Sequence, residues 1–600
     1  MTAAPDYRQH LEVETPEHVM LDLEIAGVGS RLLAALVDTG ILLGVAAAGG
    51  LLAAVLTSYD ALPRSPAGRA WLAALLIGAA FALWNGYFML FEGLRGGQTP
   101  GKRLVGIRVV RDTGHPVTPG AAALRNLLRI GDALPPPYLL GLALIAFHPR
   151  GKRLGDLVAG TVVVRDRPAQ AVPAPTEADV ALEPAVTIPL DDERFRLLAR
   201  FAARADLPPE ARDRVAAALA GRFADRARLP GATLTEFLLD LHARELARRR
   251  GRLAGRAGLG ERLSARQSER WDVFQALAER ATSAGLDSFA PEELPGFAAR
   301  YREIAADLAR ARTYRADPAT VARLERLVAA GHNVLYRDEQ HTWPRVWTAV
   351  SREFPAAIVE ARWLVLVAWA LFTAPALGGF ALLREHAALA SELLPEVMLR
   401  RAEAGHEREA GGRKYVSVDW TGRPVAASFI ITNNIRVAIA CFAGGIFLGV
   451  GSLVLLAYNG LAFGTFAGHF ANLGLLGYLM EFLAGHGVLE LFAIWVASAA
   501  GFLLGKSILA PGDRSRTDAL VVNGRVAIRM MGAVAVLLVI AGSIEGFLSV
   551  SGQGLAVRAA ASAASLAFLI GYLARGAQWL RDSRLAEHRA HPDRQLLDLP

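Results

Sequence analysis

Ionisable side chains set in apolar runs are where this chain could do chemistry, because a charge inside a bilayer is costly unless it is paired or wet. Arg31 and Asp38 lie in the first such run. On a helix they stand two turns apart on nearly one face, with Asp38 about 10 Å deeper than Arg31. Asp38 is then either a buried partner for a basic residue between positions 97 and 153 or a station for an ion or proton. Asn433, Asn434, Asn459, His469, Glu481, His486, Glu490 and Glu545 lie in or beside later apolar runs. His486 and Glu490 are one helical turn apart. A His, Glu, Glu set can bind a metal or relay a proton; the plainer alternative is a polar network that fixes helix packing. A zinc peptidase usually needs His-Glu-x-x-His, and GHGVLE at 485–490 lacks the second His. No catalytic, cofactor or metal residue is therefore assigned, and no enzyme activity is expected.

The elements that position these residues are membrane helices. The chain is 53% apolar with 20% charged residues and positive mean hydropathy, against about 25% charge in soluble domains. A crossing needs about 20 apolar residues. Eight runs qualify: Leu32–Leu56, Trp71–Phe91, Trp363–Leu383, Val437–Tyr458, Leu461–Leu483, Val488–Ile508, Met530–Leu548 and Leu555–Leu573. Residues 1–30 are polar and mixed and do not read as a signal peptide. Cys441, the single cysteine, excludes an internal disulfide and a four-Cys zinc site.

Basic residues set the orientation, since Lys and Arg favour the cytoplasmic side. Segments 92–132 and 149–165 are both rich in them, so both should be cytoplasmic. The shorter run between them, opened by Pro135-Pro136-Pro137, then reads as half of a re-entrant or interfacial hairpin, with 118–131 as the other half. Ile107–Val110 and Thr161–Val164 are β-branched and should pair as strands on the cytoplasmic face. Lys506 to Arg529 and Arg575 to Arg584 mark a cytoplasmic loop and tail, leaving 384–427 outside.

The expected fold is an α-helical integral membrane protein: about eight transmembrane helices, the hairpin, a small β pairing and a cytoplasmic helical region. Its parts are a membrane module at 1–166, a Pro-rich linker at 167–190, the helical region at 191–355, a six-helix membrane module at 356–580 and a tail at 581–600. The helical region holds 29 Arg and no Lys against 24 acidic residues. Such mixed charge argues for solvated helix faces and against nucleic acid, which needs a one-signed stripe. Arg248-Arg249-Arg250-Gly251-Arg252 reads as an exposed loop, or as a contact to anionic lipid headgroups. Gly460, Gly464 and Gly468 recur every four residues, a spacing that serves internal packing or a partner interface. TPGKR at 99–103 lacks the glycine spacing of a phosphate loop.

Four ordered segments, TPEHVMLDLEIAGVGSRLLAALVD at 15–38, GQTPGKRLVGIRVV at 97–110, RNLLRIGD at 125–132 and RGKRLGDLVAGTVVV at 150–164, resemble the RDD family of bacterial membrane proteins. By that resemblance Arg31 and Asp38 fit the first-helix positions, and Asp132 and Asp156 match later acidic ones. RYREIAADLARART at 300–313, GHNVLY at 331–336, TNNIRVAIACFAGGIFLGVGSLVLLAYNGLAFG at 432–464, GHGVLELFAIWVASAAGFLLG at 485–505 and IAGSIEGFLS at 540–549 look like stage II sporulation protein M and its wider family, from near 265. That second resemblance implies a multi-span protein working with peptidoglycan-remodelling partners. The expected function is a scaffold or regulator in a cell-envelope complex. Transport of an ion or small solute through intramembrane acids is the alternative, suggested also by transport roles proposed for some RDD proteins. The expected partners are the lipid bilayer and envelope proteins, not nucleic acid, and a homo-oligomer is compatible. The expected location is the bacterial cytoplasmic (inner) membrane, multi-pass, with both termini cytoplasmic.

Overall fold

A computed structural model describes residues 9–14, 20–59, 63, 65–132, 139–166, 190–203, 209–223, 233–284, 289–290, 293–314, 316–335, 343–411, 421–549 and 554–590. The Pro135–Pro137 opening, nearly all of the 167–190 linker and the last ten residues of the tail lie outside them. The chain divides into two compact units: Met1–Val13, Leu23–Arg167 and Asp338–Pro600 form one, and Glu14–Asp22 with Pro168–Arg337 the other.

The chain opens with strands β1 (His10–Glu14) and β2 (Met20–Glu24), and the first unit continues with helices α1 (Val28–Ser58), α2 (Pro66–Leu94) and α3 (Pro100–Val105). Strand β3 (Ile107–Arg111), helices α4 (Pro119–Leu127), α5 (Arg129–Asp132), α6 (Leu139–Phe147) and α7 (Leu154–Ala159), and strand β4 (Thr161–Arg165) follow. β3 and β4 pair antiparallel, with Val110 opposite Val162, as their β-branched content requires. Among the described residues of segment 118–148 the helices are short; α6 has 9 residues, too few to span.

The second unit is helical: α8 (Asp192–Ala203), α9 (Pro209–Ala220), α10 (Leu234–Ala284), α11 (Leu294–Thr313) and α12 (Pro318–Leu335). The helical spacing of its apolar residues is realised in buried Phe297, Tyr301, Ile304 and Leu308. Trp271 is buried with its indole donating to Asp307 at 3.0 Å, and His332 of GHNVLY meets the Tyr301 hydroxyl at 3.4 Å. Arg248–Arg252 lies inside α10 and is not a loop. Arg, Leu and Ala are strong helix formers, and they outweigh the glycines at 251, 255, 258 and 260.

The first unit resumes with α13 (Trp343–Thr348), α14 (Phe354–Glu360), α15 (Arg362–Glu385), α16 (Ala390–Leu393) and α17 (Glu396–Ala410). It ends with α18 (Arg423–Ala443), α19 (Val450–Asn472), α20 (Leu476–Leu483), α21 (Gly487–Leu509), α22 (Arg516–Ile544) and α23 (Leu555–Ala590). Among the described residues eight helices are long and apolar enough to cross a membrane. Two spans differ from the hydropathy reading. The expected spans Val437–Tyr458 and Leu461–Leu483 are replaced by Arg423–Ile446 and Val450–Asn472. The chain breaks where Leu448 and Gly449 adopt φ of 56° and 82°, a left-handed turn that no continuous helix contains. Hydropathy cannot register it, because every residue around the break is apolar or glycine.

Close helix approach organises the core. A Cβ on Gly464 would lie 1.9 Å from the Ala376 carbonyl oxygen, and one on Gly460 2.2 Å from that of Phe372. The four-residue glycine spacing is thus used internally, between α15 and α19. The N-terminal helices join the same core: Leu124, Leu128 and Val158 cluster with Ala527, Met530 and Val534. The Ser428 hydroxyl also donates to the Ala74 carbonyl at 3.0 Å.

Candidate functional site

The N-terminal polar residues condense into one buried network. α1 places Arg31 where its guanidinium donates to the carbonyls of Ala26 at 3.0 Å and Gly151 at 2.6 Å. It also stands 3.6 Å from Asp156. Asp156 follows the left-handed Gly151 turn at the start of α7 and accepts from Arg125 at 2.8 Å and Thr161 at 3.2 Å. Burial alone would raise the Asp156 carboxyl, but Arg125, then Arg153 and Arg31, hold it well below the usual carboxylate range. Arg125 also reaches Glu92 at 2.7 Å; Glu92 further accepts from Asn126 at 2.9 Å and pairs with Lys102. Desolvation draws Lys102 down to about 8 against the opposing pull of Glu92. Asp132 accepts from the Leu154 amide at 3.1 Å and lies 3.6 Å from Arg153.

Asp38 is fully buried and is held by neutral donors. It accepts from the Tyr87 hydroxyl at 2.9 Å, the Thr99 hydroxyl at 2.6 Å and the Gly101 amide at 2.8 Å. Thr99 also caps α3, so Asp38 locks the start of that short helix onto α1. A Cβ on Gly101 would lie 2.3 Å from the Ala34 carbonyl, which explains the glycine there. The sequence singled out Arg31, Asp38, Asp132 and Asp156 but not Glu92, Arg125, Arg153, Tyr87 or Thr99. Glu92 carried a readable signal as an acid at the end of an apolar run, and Arg125 opens the RNLLRIGD segment.

The second site lies where α18, α21 and α22 meet. His486 precedes α21 and is buried, and Glu490 sits in the helix's first turn. Glu545 and Ser549 come from a π turn that ends the α22 span, a distortion frequent at functional sites. His486 Nε2 stands 3.6 Å from Glu490 Oε2 and 3.7 Å from Glu545 Oε2. One potential ligand atom from each residue lies within 4.8 Å of the other two. Behind them, Ser549 Oγ meets His486 Nδ1 at 3.0 Å, and Asn434 Nδ2 donates to Glu490 Oε1 at 2.8 Å. Asn433 touches this group only through Asn434, at 3.3 Å. Asn459 turns back onto the Leu455 carbonyl of its own helix at 2.7 Å and takes no part. Glu481 pairs with Arg558 at 3.4 Å. Sequence reading named Asn434 but missed Ser549, for which the i, i+4 spacing from Glu545 was the available signal.

Comparison with known families finds three matching segments. Residues 25–160 match the RDD family, and residues 364–550 match Stage II sporulation protein M. Residues 261–337 match a separate model, a domain of unknown function (DUF8413), so the sporulation-type match begins later than position 265. No curated protein and no solved structure matches the chain. The chain is thus a multi-pass membrane protein in which one segment matches the RDD family and a later one matches Stage II sporulation protein M.

Proposed function

We propose that the chain is a non-enzymatic scaffold or regulator in a cell-envelope complex of the bacterial cytoplasmic membrane, with both termini cytoplasmic. The observation that carries this reading is the use made of the N-terminal charges. Asp38, Glu92, Asp132 and Asp156 are each engaged in hydrogen bonds or ion pairs that tie α1, α2, α3, α4 and α7 together. Acids committed in this way act as fasteners. The helical unit formed by α8 to α12 offers solvated faces for soluble partners, while the bilayer and envelope proteins meet the membrane unit. Nucleic acid has no part in this reading, and self-association is compatible with it.

Reconstitution in vesicles tests it. Under a pH or cation gradient the chain should carry no flux, and crosslinking in cells should recover the same envelope partner reproducibly. The second reading, transport of an ion or small solute, draws on the His486, Glu490 and Glu545 grouping. Flux that Glu545→Gln abolishes would establish it and overturn the scaffold. Orientation is tested by labelling, since buried Cys441 gives little background. Thr113→Cys should resist an impermeant thiol reagent applied from outside, and Glu403→Cys should react.

A further inference from the structure

We propose that His486, Glu490 and Glu545 form a binding site for one divalent transition-metal ion of the zinc class. The inference goes beyond the scaffold reading and stands whether or not that reading holds. It starts from a mismatch of distance. His486 Nε2 faces two carboxylate oxygens at 3.6 and 3.7 Å, beyond the 2.7–3.2 Å typical of an N–H···O bond. In a tetrahedral zinc site, ligand atoms about 2.0–2.1 Å from the metal lie roughly 3.3–3.4 Å from one another. The observed separations are close to that edge, and the 4.8 Å limit across all three atoms can be closed by small side-chain rotations.

The surroundings also favour metal ligation. Ser549 occupies Nδ1 of a nearly fully buried imidazole. With Ser549 as acceptor, the proton sits on Nδ1 and the Nε2 lone pair points at the two carboxylates. Three electron-rich atoms then converge, and a dication neutralises both carboxylates at the helix ends. Asn434 holds Glu490 Oε1 and leaves Oε2 to ligate. Partners on the far atoms of His and carboxylate ligands are the usual supporting shell of a metal site. A Cβ on Gly485 would lie 2.6 Å from Ser549 Oγ, so the glycine of GHG lets Ser549 approach the ring. Three protein ligands leave a fourth position open to a small ligand.

The test uses the full chain in detergent, stripped with a chelator and titrated with Zn²⁺ alone, read by calorimetry and by metal analysis after gel filtration. One equivalent per chain is expected. Glu490→Gln and Glu545→Gln keep side-chain shape and should each lose at least tenfold in affinity. Asn434→Ala should lose about 10- to 100-fold, as supporting-shell changes do. Asp38→Asn, in the other network, should bind as the parent does. Co²⁺ in place of Zn²⁺ should give the absorption of a low-coordinate site, lost in Glu545→Gln. Absence of binding to the parent chain, or unchanged affinity in both Gln variants, would overturn the site. Should a Gln variant elute as aggregate, the Co²⁺ spectrum of Asn434→Ala decides instead: a spectrum and affinity equal to the parent's would overturn the site.

Discussion

Removal of the Arg125 guanidinium should cost more than removal of any exposed arginine, by a margin the structure sets. Arg125 bridges two carboxylates, Glu92 at 2.7 Å and Asp156 at 2.8 Å, and all three side chains are at most 2% exposed. Truncating one partner of a buried pair leaves an uncompensated charge and costs about 3–5 kcal/mol. At about 1.36 kcal/mol per decade, Arg125→Ala should shift the folding equilibrium on the order of 10²- to 10⁴-fold. Arg108 provides the contrast. Its pair with Asp166 is equally short, at 2.6 Å, but the two side chains are 31% and 38% exposed. Exposed pairs contribute about 0–1 kcal/mol, so Arg108→Ala should shift the equilibrium less than about tenfold. Denaturant titration in mixed micelles, followed by tryptophan fluorescence, measures both. Equal losses for the two arginine variants would refute the view that burial rather than proximity gives this network its strength.

Other outcomes follow from the same geometry. Asp38→Asn turns an amide toward three donors, should cost about 1–3 kcal/mol by the same titration, and should loosen protease protection around α3. Gly464→Ala brings a methyl to 1.9 Å from the Ala376 carbonyl and should cost at least about 1–3 kcal/mol. Gly378→Ala, with open space around it, should cost little; equal costs would remove the α15–α19 contact as the reason. The Asp156 carboxyl is depressed in the folded chain, so it binds its proton less readily there than when unfolded, where its value is about 3.9. Its contribution is therefore present above about pH 4 and lost as pH falls through the folded value. Stability measured down an acid series should fall less steeply in Asp156→Asn than in the parent.

How much was legible differs by site. Arg31 and Asp38 were readable because an arginine and an aspartate in an apolar run are conspicuous, and heptad spacing puts them on one face. Their partners were not. The Asp38 partners Tyr87, Thr99 and Gly101 come from 49 to 63 positions away; Thr99 and Gly101 stand in the GQTPGKR segment, but nothing in the sequence joins any of the three to Asp38. His486 and Glu490 were readable as an i, i+4 pair. The approach of Glu545, and the π turn that presents it with Ser549, depend on how α22 ends against α21.

The sequence alone determined the number of helices long and apolar enough to cross a membrane and the β3–β4 pairing. Each rests on a local property: apolar length or β-branching. Only the tertiary structure decided where α18 stops, because a left-handed turn at Leu448 and Gly449 leaves hydropathy unchanged. It alone decided that the N-terminal helices share a core with α22, and that Asp38 is satisfied by neutral donors while Asp156 is satisfied by arginines. The physical reason is the same in each case. A buried polar group must find partners, but its own position along the chain does not specify which distant residues the packing will bring to it.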